Sequence, residues 1–157
     1  MAVEFSPEAR KRFAAIVGGY PKKEAALLPV LFLAQEEFGY LSGEAIDYVA
    51  KIMGISAARV YSVVTFYTML NMKPIGRHHI QVCRTLPCAL SGAEKITAFI
   101  KAKLGIDVGQ TTPDGKFTLS EVECLASCGT GPMMQVNDAY YENLTEERVV
   151  EILRVLK

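Results

Sequence analysis

The stretch His78-His79-Ile80-Gln81-Val82-Cys83-Arg84-Thr85-Leu86-Pro87-Cys88 decides how the second half of the chain is read. His78 to Val82 has the β-branched, apolar character of a strand and runs straight into Cys83. Cys88 follows after a four-residue loop that contains Pro87. Further on, Glu123-Cys124-Leu125-Ala126-Ser127-Cys128 sets two more cysteines three residues apart, with Gly129 and Gly131 behind them. The chain has 4 cysteines, and all fall into these two pairs, Cys-x4-Cys and Cys-x3-Cys, with 35 residues between.

Four thiolates that converge on one compact site can hold iron. Short loops curl around such a site and aim backbone N–H groups at its sulfurs, and glycines let the backbone come close. A four-cysteine iron–sulfur site is therefore the reading that the spacing favours. Structural zinc stays open, although its knuckles are more often Cys-x2-Cys. Disulfides stay open for an oxidising compartment. A Rieske-type centre needs two histidines beside its cysteines. His78 and His79 are neighbours on a strand and point to opposite faces, so they cannot share a metal. Both read as ordinary strand residues with hydrogen-bond partners.

No catalytic residue is assigned. Gly129-Thr130-Gly131-Pro132 lacks the third glycine and the following helix of a dinucleotide fingerprint, and no nucleophile–base pair has supporting spacing. A redox centre without a substrate site reads as an electron carrier.

Outward from the cysteines, the chain divides in character near Lys73-Pro74-Ile75-Gly76-Arg77, which predicts a helical region over 1–73 and a mixed domain over 74–157. In the first, Ser6 with Pro7 opens a helix that ends at Gly18-Gly19. A second is expected over about 23–37, kinked or started late by Pro29. A third runs over 43–53 to a stop at Gly54, and a fourth from Ser56 towards Tyr67, with its Val and Phe positions needing burial. In the second region, Ser91-Gly92-Ala93-Glu94 reads as a capping box whose helix turns Ile96, Ile100 and Leu104 inward and stops at Gly105. Pro113-Asp114-Gly115-Lys116 predicts a turn before a strand over 117–119. Asn137-Asp138 predicts a hairpin between strands at 133–136 and 139–141. A last helix is expected over 145–156. The second region therefore reads as an α/β or α+β domain, and the fold class expected for the chain is α+β.

The sequence has 157 residues, 50% of them hydrophobic and 22% charged, which is the composition of a folded chain. Lys+Arg and Asp+Glu are both 17, so bulk electrostatic binding to nucleic acid or an anionic membrane is not expected. A mean hydropathy of +0.20 points to a large core or to surface covered by a partner. The apolar run over 25–34 contains Pro29 and is far short of the ~20 residues of a spanning helix. The acidic start of the chain predicts no secretory signal, hence a cytoplasmic, reducing location. The helix–turn–helix shape around Gly54 raises a redox-sensing DNA-binding protein as a remote alternative. The second of those helices offers only Arg59 to read bases or phosphates.

The sequence resembles the small 2Fe–2S subunit (the E or 24 kDa type) of the NADH-oxidising arm of bacterial NADH:quinone oxidoreductase, respiratory complex I. The resemblance is carried by Tyr20-Pro21, Ala26 to Leu31, Val60-Tyr61, Thr65-Phe66-Tyr67, His78 to Cys83, Thr111 to Leu119, Glu123-Cys124-Leu125, Cys128-Gly129-Thr130 and Gln135 to Asp138. It implies a helical N-terminal bundle followed by a thioredoxin-like 2Fe–2S ferredoxin domain. It implies one 2Fe–2S cluster on Cys83, Cys88, Cys124 and Cys128. It also implies an FMN- and NADH-binding flavoprotein partner (the F type), gripped by the N-terminal helices, and a cytoplasmic place peripheral to the inner membrane through the parent complex. FMN and NADH would belong to that partner. Equivalent diaphorase subunits of NAD-linked hydrogenases and formate dehydrogenases are the alternative. Arg84, next to the first ligand, is expected to raise the reduction potential: a cation about 7 Å from an anionic cluster contributes roughly 2 kcal/mol at an effective dielectric of about 20.

Overall fold

The computed structural model describes residues 3–156 and divides the chain into two units, one ending at Pro74 and the next beginning at Ile75. In the first unit, capping residues set the helix starts. Ser6 Oγ accepts from the Ala9 N–H at 3.2 Å and opens α1 (Pro7–Gly18). The expected second helix divides: a 3-10 turn over Lys23–Ala26 precedes α2 (Leu27–Phe38). Pro29 thus lies in the first turn of α2, where its missing N–H leaves no bond unmade. Ser42 caps α3 (Gly43–Met53), and Gly54 ends it with a left-handed φ of 69° that favours glycine. Ser56 caps α4 (Ala57–Phe66).

α2 is apolar on nearly every side and packs against α1, α3 and α4. Its Val30, Leu31 and Ala34 are fully buried. Ahead of α1, Phe5 stacks on Phe38 at 5.5 Å and meets the edge of Tyr48 at 5.2 Å. Its backbone N–H donates to the Tyr48 hydroxyl at 3.0 Å. On α4, Val60 and Val64 are buried as their character requires, but Phe66 is not: it is 76% exposed, at the last turn of the helix, edge-on to Tyr67. Tyr61, Met69 and Met72 are also exposed, so residues 61–72 hold four large apolar side chains in water.

The second unit is built on a sheet in the order β2-β1-β3-β4. β1 (His78–Cys83) pairs in parallel with β2 (Phe117–Val122), from His78 opposite Phe117 to Cys83 opposite Val122. β3 (Met134–Val136) runs antiparallel to β1 and forms the expected hairpin with β4 (Ala139–Tyr141). β1 is an inner strand, and Ile80 and Val82 are fully buried. His79 is buried too; its Nε2 lies 2.8 Å from Ser120 Oγ, and burial pushes its pKa down. The crossover from β1 to β2 carries α5 (Leu86–Leu90) and α6 (Ala93–Leu104), and α7 (Glu146–Val155) packs on α6. Ile96, Ile100, Val149 and Ile152 join the sheet in one core.

Two expectations need correction here. β2 continues to Val122, beyond the 117–119 reading, because its pairing with β1 holds Ser120 and Glu121 in extended form. The capping box at Ser91 does not form. Ser91 ends the short helix α5 and its hydroxyl donates to the Pro87 carbonyl at 2.8 Å, so Gly92, at φ 99°, takes the N-cap position of α6 without a side-chain bond.

Candidate metal centre

Each cysteine is placed by a strand end or a short helical turn. Cys83 closes β1, and its N–H donates to the Met133 carbonyl at 3.2 Å. Cys88 is the inward residue of α5, which starts at Leu86 after the N-cap residue Thr85 and so places Pro87 in its first turn. Cys124 follows β2 by two residues, and Cys128 opens a 3-10 turn over Cys128–Thr130 that contacts α5. The parallel register of β1 and β2 therefore delivers both loops to one edge of the sheet.

The sulfurs fall into two pairs. Cys124 Sγ and Cys128 Sγ are 3.9 Å apart, and Cys83 and Cys88 lie near enough for each thiol to shift the pKa of the other. Cys83 and Cys88 are buried, whereas Cys124 and Cys128 are exposed. Burial pushes the Cys88 thiol up to about 11, with the neighbouring Cys83 adding to the shift. Burial acts on Cys83 in the same direction, but bonds from Thr85, the Leu125 backbone and Cys88 outweigh it and bring that thiol down. The contact with Cys124 raises Cys128.

Four thiols in two pairs are the donor set that a two-iron cluster uses, two sulfurs to each iron. A structural zinc takes four thiolates as well, so the donor chemistry alone serves either metal.

Other groups surround the pairs. Thr85 Oγ1 lies 3.3 Å from Cys83 Sγ, and the Ala126 N–H donates to Cys124 Sγ at 3.3 Å. Ala126 holds φ at 60°, a left-handed conformation that costs a non-glycine residue roughly 1 kcal/mol. Arg84 is not a lone cation. Its Nη2 lies 2.6 Å and its Nε 3.1 Å from Glu123 Oε1, so an opposite charge accompanies it and opposes the expected pull on the reduction potential.

On the far side of the second loop stands Glu142, just past β4. Its Oε1 accepts from Ser127 Oγ and, at 2.7 Å, from Thr130 Oγ1. These hydroxyls hold its carboxyl below the usual range. The N–H groups of Asn143 and Leu144 donate to the carbonyls of Thr130 and Pro132 at 2.8 and 2.9 Å. Sequence reasoning singled out the four cysteines but not Thr85, Glu142 or the pairing of Glu123 with Arg84. Thr85 was signalled by the Thr-Leu-Pro start of α5, while Glu142 had no local signal.

A family model described as thioredoxin-like [2Fe-2S] ferredoxin matches residues 13–157. The E-type subunit of NADH-quinone oxidoreductase from Rickettsia conorii is 46% identical over 145 residues, covering 90% of this chain and 87% of that protein. An E-type subunit of the same enzyme from Rhizobium meliloti is 43% identical over 92% of this chain and 86% of its own. A mitochondrial NADH dehydrogenase [ubiquinone] flavoprotein 2 from Dictyostelium discoideum is 45% identical over 98% of this chain and 64% of its own. Among solved structures, an NAD+-reducing [NiFe]-hydrogenase in the air-oxidized state shares the fold, with a TM-score of 0.72 and 18% identity over 83% of this chain. The present chain spans only 22% of that hydrogenase chain.

Proposed function

Because the chain belongs to the thioredoxin-like [2Fe-2S] ferredoxin family, we propose that Cys83, Cys88, Cys124 and Cys128 are the four ligands of its 2Fe–2S cluster, two cysteines to each iron. We propose further that the chain is the electron-transfer subunit of the NADH dehydrogenase module of a respiratory complex I, exchanging single electrons with the FMN of a partner flavoprotein. The observation that carries the ligand assignment is the two-and-two grouping of the thiols at one edge of the sheet. When bound, such a cluster takes up and returns one electron at a time.

The chain's own residues supply the rest. With Cys83 deprotonated, the Thr85 hydroxyl donates to its sulfur, and the Ala126 N–H donates to Cys124. Both bonds draw negative charge off the sulfurs and favour the more reduced state. The names of the relatives at 43% to 46% identity support the complex I branch over the equivalent diaphorase subunit of an NAD-linked hydrogenase or formate dehydrogenase. Residues 1–73 are the partner-binding region in this reading, and 74–157 the cluster domain. The exposed Tyr61, Phe66, Met69 and Met72 suit the first of these roles. The chain would sit at the inner membrane through its parent complex; no helix among the described residues is long and apolar enough to cross a membrane.

Iron, sulfide and zinc analysis on protein purified without air tests the reading. Two irons and two sulfides per chain, with a red-brown spectrum bleached by dithionite, are expected. A colourless protein with one zinc overturns it.

A second test uses glycine. A Cβ at residue 131 would stand 3.3 Å from Cys88 Sγ and 3.4 Å from Ser91 Oγ, tighter than side chains normally pack. Gly131→Ala is therefore expected to displace Cys88 and hasten iron loss to a chelator. Gly129→Ala, whose Cβ meets nothing within 4 Å, should leave the rate unchanged. Equal rates for the two variants would contradict this placement of Cys88 beside the metal.

A further inference from the structure

We infer that Glu142 is a positioning residue for the Cys124–Cys128 pair, acting through the hydroxyls of Ser127 and Thr130. This rests on the reading of the four cysteines as the ligand set.

The loop that carries Cys124 and Cys128 has little to hold it. Both cysteines are exposed, and the segment lies between the end of β2 and the start of β3, outside the sheet. One residue inside it, Ala126, sits in a left-handed conformation that side chains disfavour. Such a backbone persists only where its surroundings over-determine it. Glu142 is the group that gathers the far half of this loop. One carboxylate oxygen receives the hydroxyl of the residue before Cys128 and the hydroxyl of the residue two beyond it. Ser127 Oγ and Thr130 Oγ1 are themselves 2.6 Å apart, so the three side chains close a ring of oxygens around the 3-10 turn that begins with Cys128. The backbone on either side of this ring is also tied. The Asn143 N–H donates to the Thr130 carbonyl, and the Leu144 N–H to the Pro132 carbonyl. Glu142 itself leaves the end of β4, which the hairpin fastens to β3 and so to β1. The rigidity of the sheet thus reaches Cys128 through a carboxylate.

Groups that orient ligands without touching the metal commonly change metal retention by 10–100-fold when removed. The test uses the full chain with its cluster. Three quantities are read: the rate of iron loss to a chelator, the midpoint potential, and the electron paramagnetic resonance spectrum after dithionite reduction. Glu142→Ala is expected to lose iron about tenfold faster and to shift both the potential and the spectrum. Glu142→Gln keeps an acceptor oxygen in place and is expected to restore most of the wild-type behaviour. In a Ser127→Ala/Thr130→Val background, which leaves β4 and Glu142 intact, adding Glu142→Ala is expected to change nothing more.

A Glu142→Ala protein that loads its cluster with wild-type potential, spectrum and iron retention overturns the inference, even if its melting temperature falls. Additive effects of Glu142→Ala and the hydroxyl variants overturn it as well, because Glu142 would then act by another route. Should Glu142→Ala not fold, the Ser127→Ala/Thr130→Val protein decides alone: wild-type potential and retention there reject the inference. A wild-type chain without iron defeats the ligand assignment, whereas a loaded wild type beside an unaltered Glu142→Ala defeats only the role of Glu142.

Discussion

Purified without air, Cys88→Ala is expected to contain almost no iron or sulfide, while Cys128→Ser keeps part of both. The difference follows from burial. Cys88 is 1% exposed and Cys83 is 2% exposed. In the proposed assignment, an alanine at either position removes one of two protein ligands from an iron and leaves a buried methyl group that cannot coordinate. Cys124 and Cys128 are exposed, so solvent or the serine oxygen has access to the metal there. The graded series Cys88 and Cys83 against Cys124 and Cys128 is read by iron and sulfide analysis and by visible absorption. A Cys88→Ala protein with its full complement of both would place the metal site elsewhere in the chain.

The second large effect is expected at Gly76, just ahead of β1. Its N–H donates to Thr118 Oγ1 at 2.6 Å, and a Cβ there would stand 2.9 Å from the carbonyl carbon of Lys116 and from the N and C atoms of Phe117. These are backbone atoms, so no side chain can swing aside. They also belong to the first rung of the β1–β2 pairing, where the His78 N–H donates to the Lys116 carbonyl at 2.8 Å. Gly76→Ala must push the start of β2 away from β1. Overpacking of this kind costs about 1–3 kcal/mol. For a unit of this size each kcal/mol lowers the melting temperature by about 4–8 °C. Gly18→Ala is the control: its Cβ meets nothing within 4 Å in α1, and it should stabilise by up to about 1 kcal/mol. Identical melting of Gly76→Ala and the wild type would show that the close approach does not exist in solution.

What was legible in the sequence was local. Ser6 before Pro7, Gly54 after Met53 and Gly105 after Leu104 mark helix ends because capping depends on one or two residues. Asn137-Asp138 marks the hairpin for the same reason. The cysteine pairs were legible because a short loop closes on itself. The misread Ser91 shows the limit. Its spacing to Glu94 fits a capping box, but the unrecognised α5 just upstream offers the Pro87 carbonyl first. The parallel partnership of β1 and β2 left no trace in either segment, and two consequences went with it: the extension of β2 to Val122 and the pairing of Arg84 with Glu123, 39 residues away. Glu142 was hidden for a related reason. It meets Thr130 and Ser127 across 12 and 15 residues, and only the hairpin brings it back.

The parallel register also has an evolutionary consequence. Since Cys83 ends β1 opposite Val122 at the end of β2, the two thiol pairs meet at one sheet edge whatever length of chain joins the strands. Distance along the polypeptide is thereby uncoupled from distance in space. Insertions and deletions between α6 and β2 can accumulate without reaching the sulfurs, whereas a single residue gained or lost inside either cysteine loop moves a proposed ligand. A genomic search for centres of this kind should hold the gaps of four and three residues rigid and let the 35-residue gap float.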